Sequence, residues 1–313
     1  MAPSPLAYFG GEFIPAAEAK VGVMTHALHY GTAVFEGIRC NWNEAEEKLF
    51  IFRPLDHFNR LAEGAKILRM NLPHTPEELV RITVELVERT GYREDMYIRP
   101  LAFKSAERIA NLKLHELDDG LTIIGVPFGS YIDVQVVRCM TASWRRIDET
   151  MMPPRVKLSA GYVNSILAKT DAVLAGFDEA IFLNNDGHVA EGSGENLFVV
   201  KDGALVTPPL TANILPGITR NCIIQIAKED LGLETLERPV GRAELYLADE
   251  VFLTGTAAHV TPMGELDHRT IGSGTGGPIT KFLQDIYFKA IRGEVPKYRD
   301  WCVEVIPAPL AKV

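Results

Sequence analysis

Two tight turns in the second half constrain this chain more than any other feature. Ala180-Ile181-Phe182-Leu183 runs into Asn185-Asp186-Gly187, and Leu197-Phe198-Val199-Val200 runs into Lys201-Asp202-Gly203. Asp-Gly between apolar runs is a strong hairpin signal, because the tight reversals that suit twisted strands need positive φ. Near the start, Gly10-Gly11 between Tyr8-Phe9 and Glu12-Phe13-Ile14 gives a third hairpin. Helices fall elsewhere. Leu55, Phe58, Leu61 and Ile67-Leu68 recur at helical spacing. Thr75-Pro76-Glu77-Glu78 predicts a helix with Thr75 as N-cap, Pro76 in its first turn and Glu78 closing a capping box, ending near Thr90 before Gly91. Further helices are expected over 161–174, 217–231 and 278–292, and strands over 48–52, 97–103, 121–127, 134–144 and 250–254. Strands and helices are segregated rather than alternating, which favours α+β organisation.

The 313 residues suit two domains. Phe128-Gly129-Ser130-Tyr131 reads as a crossing between them, giving domains at 1–127 and 134–313 joined by a loop at 128–133. With 47 % apolar and 23 % charged residues, the composition is that of a globular protein. A net charge of −9 speaks against nucleic-acid binding, and no apolar run reaches membrane-spanning length. Met1-Ala-Pro-Ser-Pro lacks the basic and apolar regions of a signal peptide. Cys40, Cys139, Cys222 and Cys302 are too scattered for a disulfide framework or a zinc site, so the expectation is a cytoplasmic protein with reduced thiols and no metal.

Several motifs carry possible chemistry. Gly272-Ser273-Gly274-Thr275-Gly276-Gly277 fits G-x-G-x-x-G, but no apolar strand precedes it and no βαβ unit fits there, so a linker before a helix is expected. His26 and His29 lack the glutamate of an H-E-x-x-H pattern and read as structural or site-lining residues. Leu215-Pro216-Gly217-Ile218-Thr219-Arg220 opens onto a helix, where free N–H groups make an anion site; taken alone, a plain Pro-Gly turn with Thr219 in the first helical turn fits it better. Gly255-Thr256-Ala257-Ala258 follows a strand with side chains small enough for a ligand to approach the backbone. Glu191-Gly192-Ser193-Gly194-Glu195-Asn196 places two carboxylates in a glycine-rich stretch, open to a functional loop or a solvated hairpin. Lys157, between Val156 and Leu158, is either a desolvated nucleophile or a snorkelling side chain.

In their order and spacing, these motifs resemble the fold-type IV pyridoxal phosphate enzymes, specifically the branched-chain aminotransferases. The resemblance runs from Val23-Met24-Thr25-His26 to the last helix. It includes Val34-Phe35-Glu36-Gly37-Ile38-Arg39, Tyr97-Ile98-Arg99-Pro100, Glu191 to Phe198, and Leu215 to Arg220. It implies a small N-terminal α/β domain, a larger C-terminal domain with a β-barrel-like core, and a cofactor, pyridoxal 5'-phosphate, between them. Lys157 would form the Schiff base and carry the proton, since an unprotonated amine serves as both nucleophile and base. Glu191 would face the pyridine nitrogen. Tyr162 would bond the ring hydroxyl, and Leu215 would pack on the ring. Arg60, Gly217, Ile218, Thr219, Gly255 and Thr256 would surround the phosphate. Tyr30, Phe35, Tyr131 and Tyr162 would wall an apolar pocket. Tyr97, with the N–H groups of Thr256 and Ala257, would hold the substrate α-carboxylate. Arg99, with Arg39 beside it, would take the distal carboxylate of glutamate.

The implied reaction moves the amino group of leucine, isoleucine or valine to 2-oxoglutarate. The implied partners are small amino and 2-oxo acids and further copies of the chain, as a dimer or dimer-based hexamer. Two positions depart from the family pattern. Leu158 follows the lysine where relatives have small residues. Ala106 to Leu112 carries Glu107 and Arg108 where the family has an apolar, glycine-containing loop. Alternatives on the same fold are D-amino acid or (R)-amine transamination, or an aminodeoxychorismate-type lyase; a non-catalytic binding protein is the alternative outside enzymes.

Overall fold

The computed structural model describes residues 5–129 and 135–309. They fall into two compact units. The first takes the chain up to Gly129, then Val156–Ala160, and resumes from Lys289; the second takes the chain up to Arg155 and then Gly161–Phe288.

In the first unit, β1 (Leu6–Phe9) and β2 (Glu12–Pro15) form the expected hairpin. Gly10 and Gly11 turn it with φ of 61° and 91°. Next come α1 (His26–Tyr30), β3 (Ala33–Phe35), β4 (Ile38–Asn43), β5 (Lys48–Phe52) and α2 (Pro54–Ile67), then α3 (Pro76–Thr90), β6 (Met96–Lys104) and β7 (Asp119–Pro127). The capping box of α3 is present: Glu78 N donates to Thr75 Oγ1 at 3.3 Å, and Thr75 N donates to Glu78 Oε2 at 2.8 Å. Gly91 ends the helix with φ of 67°. The antiparallel sheet runs Cys302–Val305, β5, β4, β6, β7, β1, β2, with β3 also on β6. Phe58 and Leu61 of α2 and Leu79, Leu86 and Val87 of α3 are buried, as are Phe50, Ile98 and Ile123 of the sheet.

These units divide the chain differently from a cut at 128–133. Backbone bonds hold the segment around Lys157 against β3: Phe35 N donates to Lys157 O at 3.1 Å, and Ser159 N to Ala33 O at 2.9 Å. Pairing of Cys302–Val305 with β5 brings the C-terminal strand to the same sheet. The lysine and the C-terminal strand thus group with the first unit, not with the remainder of 134–313.

The second unit holds β8 (Val137–Arg145), α4 (Tyr162–Leu174), β9 (Glu179–Leu183), β10 (Val189–Gly192), β11 (Asn196–Lys201) and β12 (Ala204–Thr207). After them come α5 (Ile218–Leu231), β13 (Thr235–Glu237), α6 (Arg242–Tyr246), β14 (Glu250–Gly255), β15 (His259–Leu266), β16 (Arg269–Thr270) and α7 (Pro278–Ala290). Both predicted Asp-Gly hairpins form, β9–β10 and β11–β12. The mixed sheet runs β10, β9, β8, β15, β14, β11, β12, β13 and curls into a half-barrel. Both faces of its centre are buried, as strand alternation requires. Leu197, Val199, Val251 and Leu253 join one core cluster, while Phe198 and Phe252 stack with ring centres 5.0 Å apart.

The glycine run at 272–277 serves α7. Glu250, from β14, accepts hydrogen bonds from Ile279 N at 3.1 Å and from Thr280 N at 2.7 Å. A side chain at Gly277 would meet the Glu250 carboxyl, 2.1 Å from its Cδ. The chain's own carboxylate therefore occupies the helix N-terminus that a dinucleotide site would offer.

Candidate active site

The residues singled out from the sequence gather in two sets, one in each unit. In the first unit, Val156 and Leu158 are both buried. The chain turns tightly at Lys157, Leu158 N donating to Val156 O at 2.8 Å, and the lysine Nζ lies 5.3 Å from the centre of the Phe35 ring. Leu158 therefore fills core space behind the lysine. Gly64 makes room for the segment, since a Cβ there would lie 2.9 Å from Val156 Cγ1.

Phe35 begins a row of stacked rings and guanidinium groups. Arg99 Cζ lies 4.5 Å from the Phe35 ring centre and 5.1 Å from that of Tyr97. Its Nη2 donates to the Tyr97 hydroxyl at 3.0 Å. Tyr97 is followed by Phe128, ring centres 5.1 Å apart, and Phe128 by Arg39, 5.4 Å from its ring. Tyr97 and Arg99 share a face of β6, and Arg39 of β4 lies opposite Tyr97 in register. Gly37 lets Tyr97 in: a Cβ there would lie 2.0 Å from the tyrosine hydroxyl.

The two arginines grouped from the sequence differ. Arg99 is exposed, whereas Arg39 is 3 % exposed and sits 3.6 Å from the Asp95 carboxylate. Arg39 Nη1 also donates to Gly129 O at 3.1 Å. Asp95 in turn accepts from Arg292 Nη2 at 2.8 Å. Tyr30 accepts a hydrogen bond from Ala110 N at 2.9 Å. His26 is buried between Thr32 Oγ1 (2.8 Å) and Asn111 O (2.7 Å) and pins the 106–112 loop to α1. Tyr131 lies outside the described residues.

Arg60, on α2, pairs with Glu36, a residue assigned no role above. Its Nε donates to Glu36 Oε1 at 2.7 Å and its Nη2 to Glu36 Oε2 at 2.8 Å. His57 Nδ1 lies 2.7 Å from the same Oε2. Glu36 is fully buried, which alone would raise its pKa, but the Arg60 guanidinium, with His57, holds it well below the carboxylate range. Burial pushes His57 down despite Glu36, so the imidazole stays neutral and donates from Nδ1.

In the second unit, three motifs meet at Glu191 and Asn196. Arg146 Nη2 lies 2.8 Å from Glu191 Oε1, and Asn196 Nδ2 donates to Oε2 at 2.9 Å. Leu215 N donates to the same oxygen at 3.2 Å. Asn196 Nδ2 also donates to Leu215 O at 2.9 Å. Its Oδ1 would lie 2.0 Å from a Cβ at Gly217. Glu191 and Glu195 are both buried, so neither is a solvated hairpin acid. Asn196 pairs with Thr254 between β11 and β14, which brings Gly255, Thr256 and Ala257 beside this stretch. Gly217 starts α5 with no side-chain cap, and no acidic residue lies in the first turn. Thr219 is buried, its Oγ1 3.3 Å from the Tyr287 hydroxyl. Tyr162 opens α4. An uncapped helix start is a donor set suited to a phosphate.

Reading the sequence missed Glu36, His57, Asp95, Arg146 and Asn196 as site residues. The available signal was a charged or amide side chain inside an otherwise apolar or glycine stretch, as at Glu36 between Phe35 and Gly37.

Residues 33–266 match the family model for amino-transferase class IV. The chain belongs to the class IV aminotransferases. A relative from Aquifex aeolicus, described as a "probable branched-chain-amino-acid aminotransferase", is 49 % identical over 300 residues, 96 % of each chain. The branched-chain aminotransferase of Thermoproteus uzoniensis, solved with norvaline, superposes with a TM-score of 0.92 at 44 % identity, covering 96 % of this chain and 99 % of that one. The branched-chain amino acid aminotransferase of T.th., solved with N-(5'-phosphopyridoxyl)-L-glutamate, superposes at 0.89 and 43 % identity, covering 97 % and 99 %. The α+β fold is thus that of class IV aminotransferases. No helix among the described residues is long and apolar enough to cross a membrane, and no cluster of three or more metal-binding side chains occurs among them.

Proposed function

We propose that this chain transfers the amino group of leucine, isoleucine or valine to 2-oxoglutarate, with pyridoxal 5'-phosphate as cofactor. One observation carries the reading: an amine, an apolar ring and a guanidinium adjoin, with Lys157 Nζ 5.3 Å and Arg99 Cζ 4.5 Å from the Phe35 ring centre. An apolar wall accepts a branched aliphatic side chain, and an exposed arginine at its edge accepts the distal carboxylate of glutamate. The relatives agree, one solved with norvaline and another with a phosphopyridoxyl-glutamate adduct.

Bound pyridoxal phosphate supplies an electron sink for the charge left when the substrate α-proton departs. Lys157 Nζ takes that proton. Glu191, braced by Arg146 and Asn196, keeps a negative charge for the ring nitrogen; Leu215, bonded to the same carboxylate, lies against the ring. Arg60, the start of α5 from Gly217 through Ile218 and Thr219, and Gly255 and Thr256 bind the phosphate. Tyr162 donates to the ring hydroxyl. Tyr97 and the N–H groups of Thr256 and Ala257 hold the α-carboxylate, and Tyr30 and Tyr131 extend the pocket wall. Arg39, which shares Asp95 with Arg292, braces Phe128 and Gly129 and adds positive charge beside Arg99, which takes the distal carboxylate.

The enzyme acts in the cytoplasm as a homo-oligomer built from dimers.

The test is the visible spectrum of the purified protein. L-leucine should remove the yellow band and 2-oxoglutarate should restore it, with both changes absent in Lys157→Ala. A band that ignores leucine but responds to a D-amino acid or an (R)-amine would overturn the substrate assignment.

A further inference from the structure

Resting on the cofactor reading above, we propose that Glu36 is a positioning residue that aims the Arg60 guanidinium at the cofactor phosphate. Both Glu36 oxygens are engaged, by Arg60 Nε at 2.7 Å and Arg60 Nη2 at 2.8 Å. A side-on pair of this kind fixes the plane of a guanidinium as well as its position. The carboxylate is itself held from several directions. Glu36 N donates to Pro100 O at 2.9 Å, and His57, one helical turn before Arg60, shares its Oε2 at 2.7 Å. The preceding residue, Phe35, bonds through its N–H to the carbonyl of Lys157 at 3.1 Å. One two-residue stretch therefore fixes both the lysine backbone and the phosphate arginine.

The charge balance favours orientation over attraction. Glu36 is fully buried, where a carboxylate is costly unless paired. It offsets the charge of Arg60, so for a dianionic phosphate the carboxylate is electrostatically unfavourable. A site tuned for attraction alone would do better without it. What Glu36 adds is a fixed direction for the Arg60 donors, and directed donors bind phosphate better than a mobile charge.

Attraction and orientation predict opposite signs. Holoenzyme is stripped of cofactor and titrated separately with pyridoxal phosphate and with pyridoxal, which lacks the phosphate. In Glu36→Gln, affinity for pyridoxal phosphate falls about tenfold, the scale of one charged hydrogen bond, while affinity for pyridoxal stays the same. In an Arg60→Gln background, the Glu36 change adds nothing further. Unchanged or tighter binding of pyridoxal phosphate, an equal loss for both ligands, or additive losses in the double variant would each overturn the proposal. If Glu36→Gln does not fold, Glu36→Asp, which withdraws the carboxylate by one methylene, is read the same way. Wild-type protein that binds neither ligand would instead count against the cofactor reading.

Discussion

Glu195 lies four residues from Glu191, in the same glycine-rich stretch, and is equally buried, yet the two carboxyls meet different surroundings. Glu191 has Arg146 at 2.8 Å. Glu195 Oε2 accepts one backbone bond, from Gly194 N at 3.1 Å, and the nearby Lys169 pairs with Glu179 at 2.6 Å. Burial first, and then the charge of Glu179, push Glu195 up to about 8. A folded pKa above the ordinary 4.5 means that its contribution to stability is complete below 4.5 and is lost as pH rises through about 8. Urea midpoints between pH 5 and pH 9 should therefore fall with pH in the wild type and fall less steeply in Glu195→Gln. Parallel slopes would refute this. Spacing alone presented Glu191 and Glu195 as a matched pair. Their divergence depends on Arg146 and Glu179, which reach the stretch only in the folded chain.

Two helices of similar length each begin directly after a glycine, and their N-termini are treated in opposite ways. α7 receives the Glu250 carboxylate across its first N–H groups, whereas α5 has no side-chain cap at Gly217. A helix start left without an internal anion can receive an external one. Gly217 has φ of −68°, which any residue adopts, so its role is spatial: a Cβ would fall 2.0 Å from Asn196 Oδ1. Gly217→Ala should displace Asn196, loosening its bonds to Glu191 and Leu215. The expected loss is about 1–3 kcal/mol of stability by overpacking, with weaker cofactor retention, both measurable by thermal denaturation with and without pyridoxal phosphate. The hairpins and the α3 capping box were legible because their determinants are local. The strands His259–Leu266 and Cys302–Val305 were not. Pro262 and Gly264 interrupt the apolar pattern of the first, and the second takes its place only by pairing with β5, some 250 residues earlier in the chain.

At the scale of the whole molecule, α4 is inverted. It buries Ser165, Ala168 and Ala172 and exposes Val163, Ile166, Leu167, Val173 and Leu174. These exposed residues recur at helical spacing, forming an apolar stripe with the exposed Thr170 between its two halves. Exposed apolar patches mark association surfaces, and the proposed dimer assigns this stripe to a second copy of the chain. Ile166→Glu would then shift sedimentation towards the monomer while the far-ultraviolet circular dichroism stays unchanged; an unaltered assembly would remove the stripe from the interface. The sequence showed a helical period here but not which side faces inward, because alanines and one serine form the buried face. It also placed Lys157 beyond the domain crossing, since no local signal shows that 156–160 returns to β3.

The adjacency of Phe35 and Glu36 has a consequence for anyone seeking to retune this enzyme. The ring proposed to border the side-chain pocket and the carboxylate proposed to brace the phosphate arginine are consecutive residues on one backbone stretch, and the first is bonded to the Lys157 carbonyl. On the proposed roles, enlarging the pocket at Phe35 to admit bulkier donors should disturb the anchorage of the prosthetic group. Libraries built at this position should be screened for retained colour as well as for turnover, and gains in breadth there will tend to come with leakage of the cofactor.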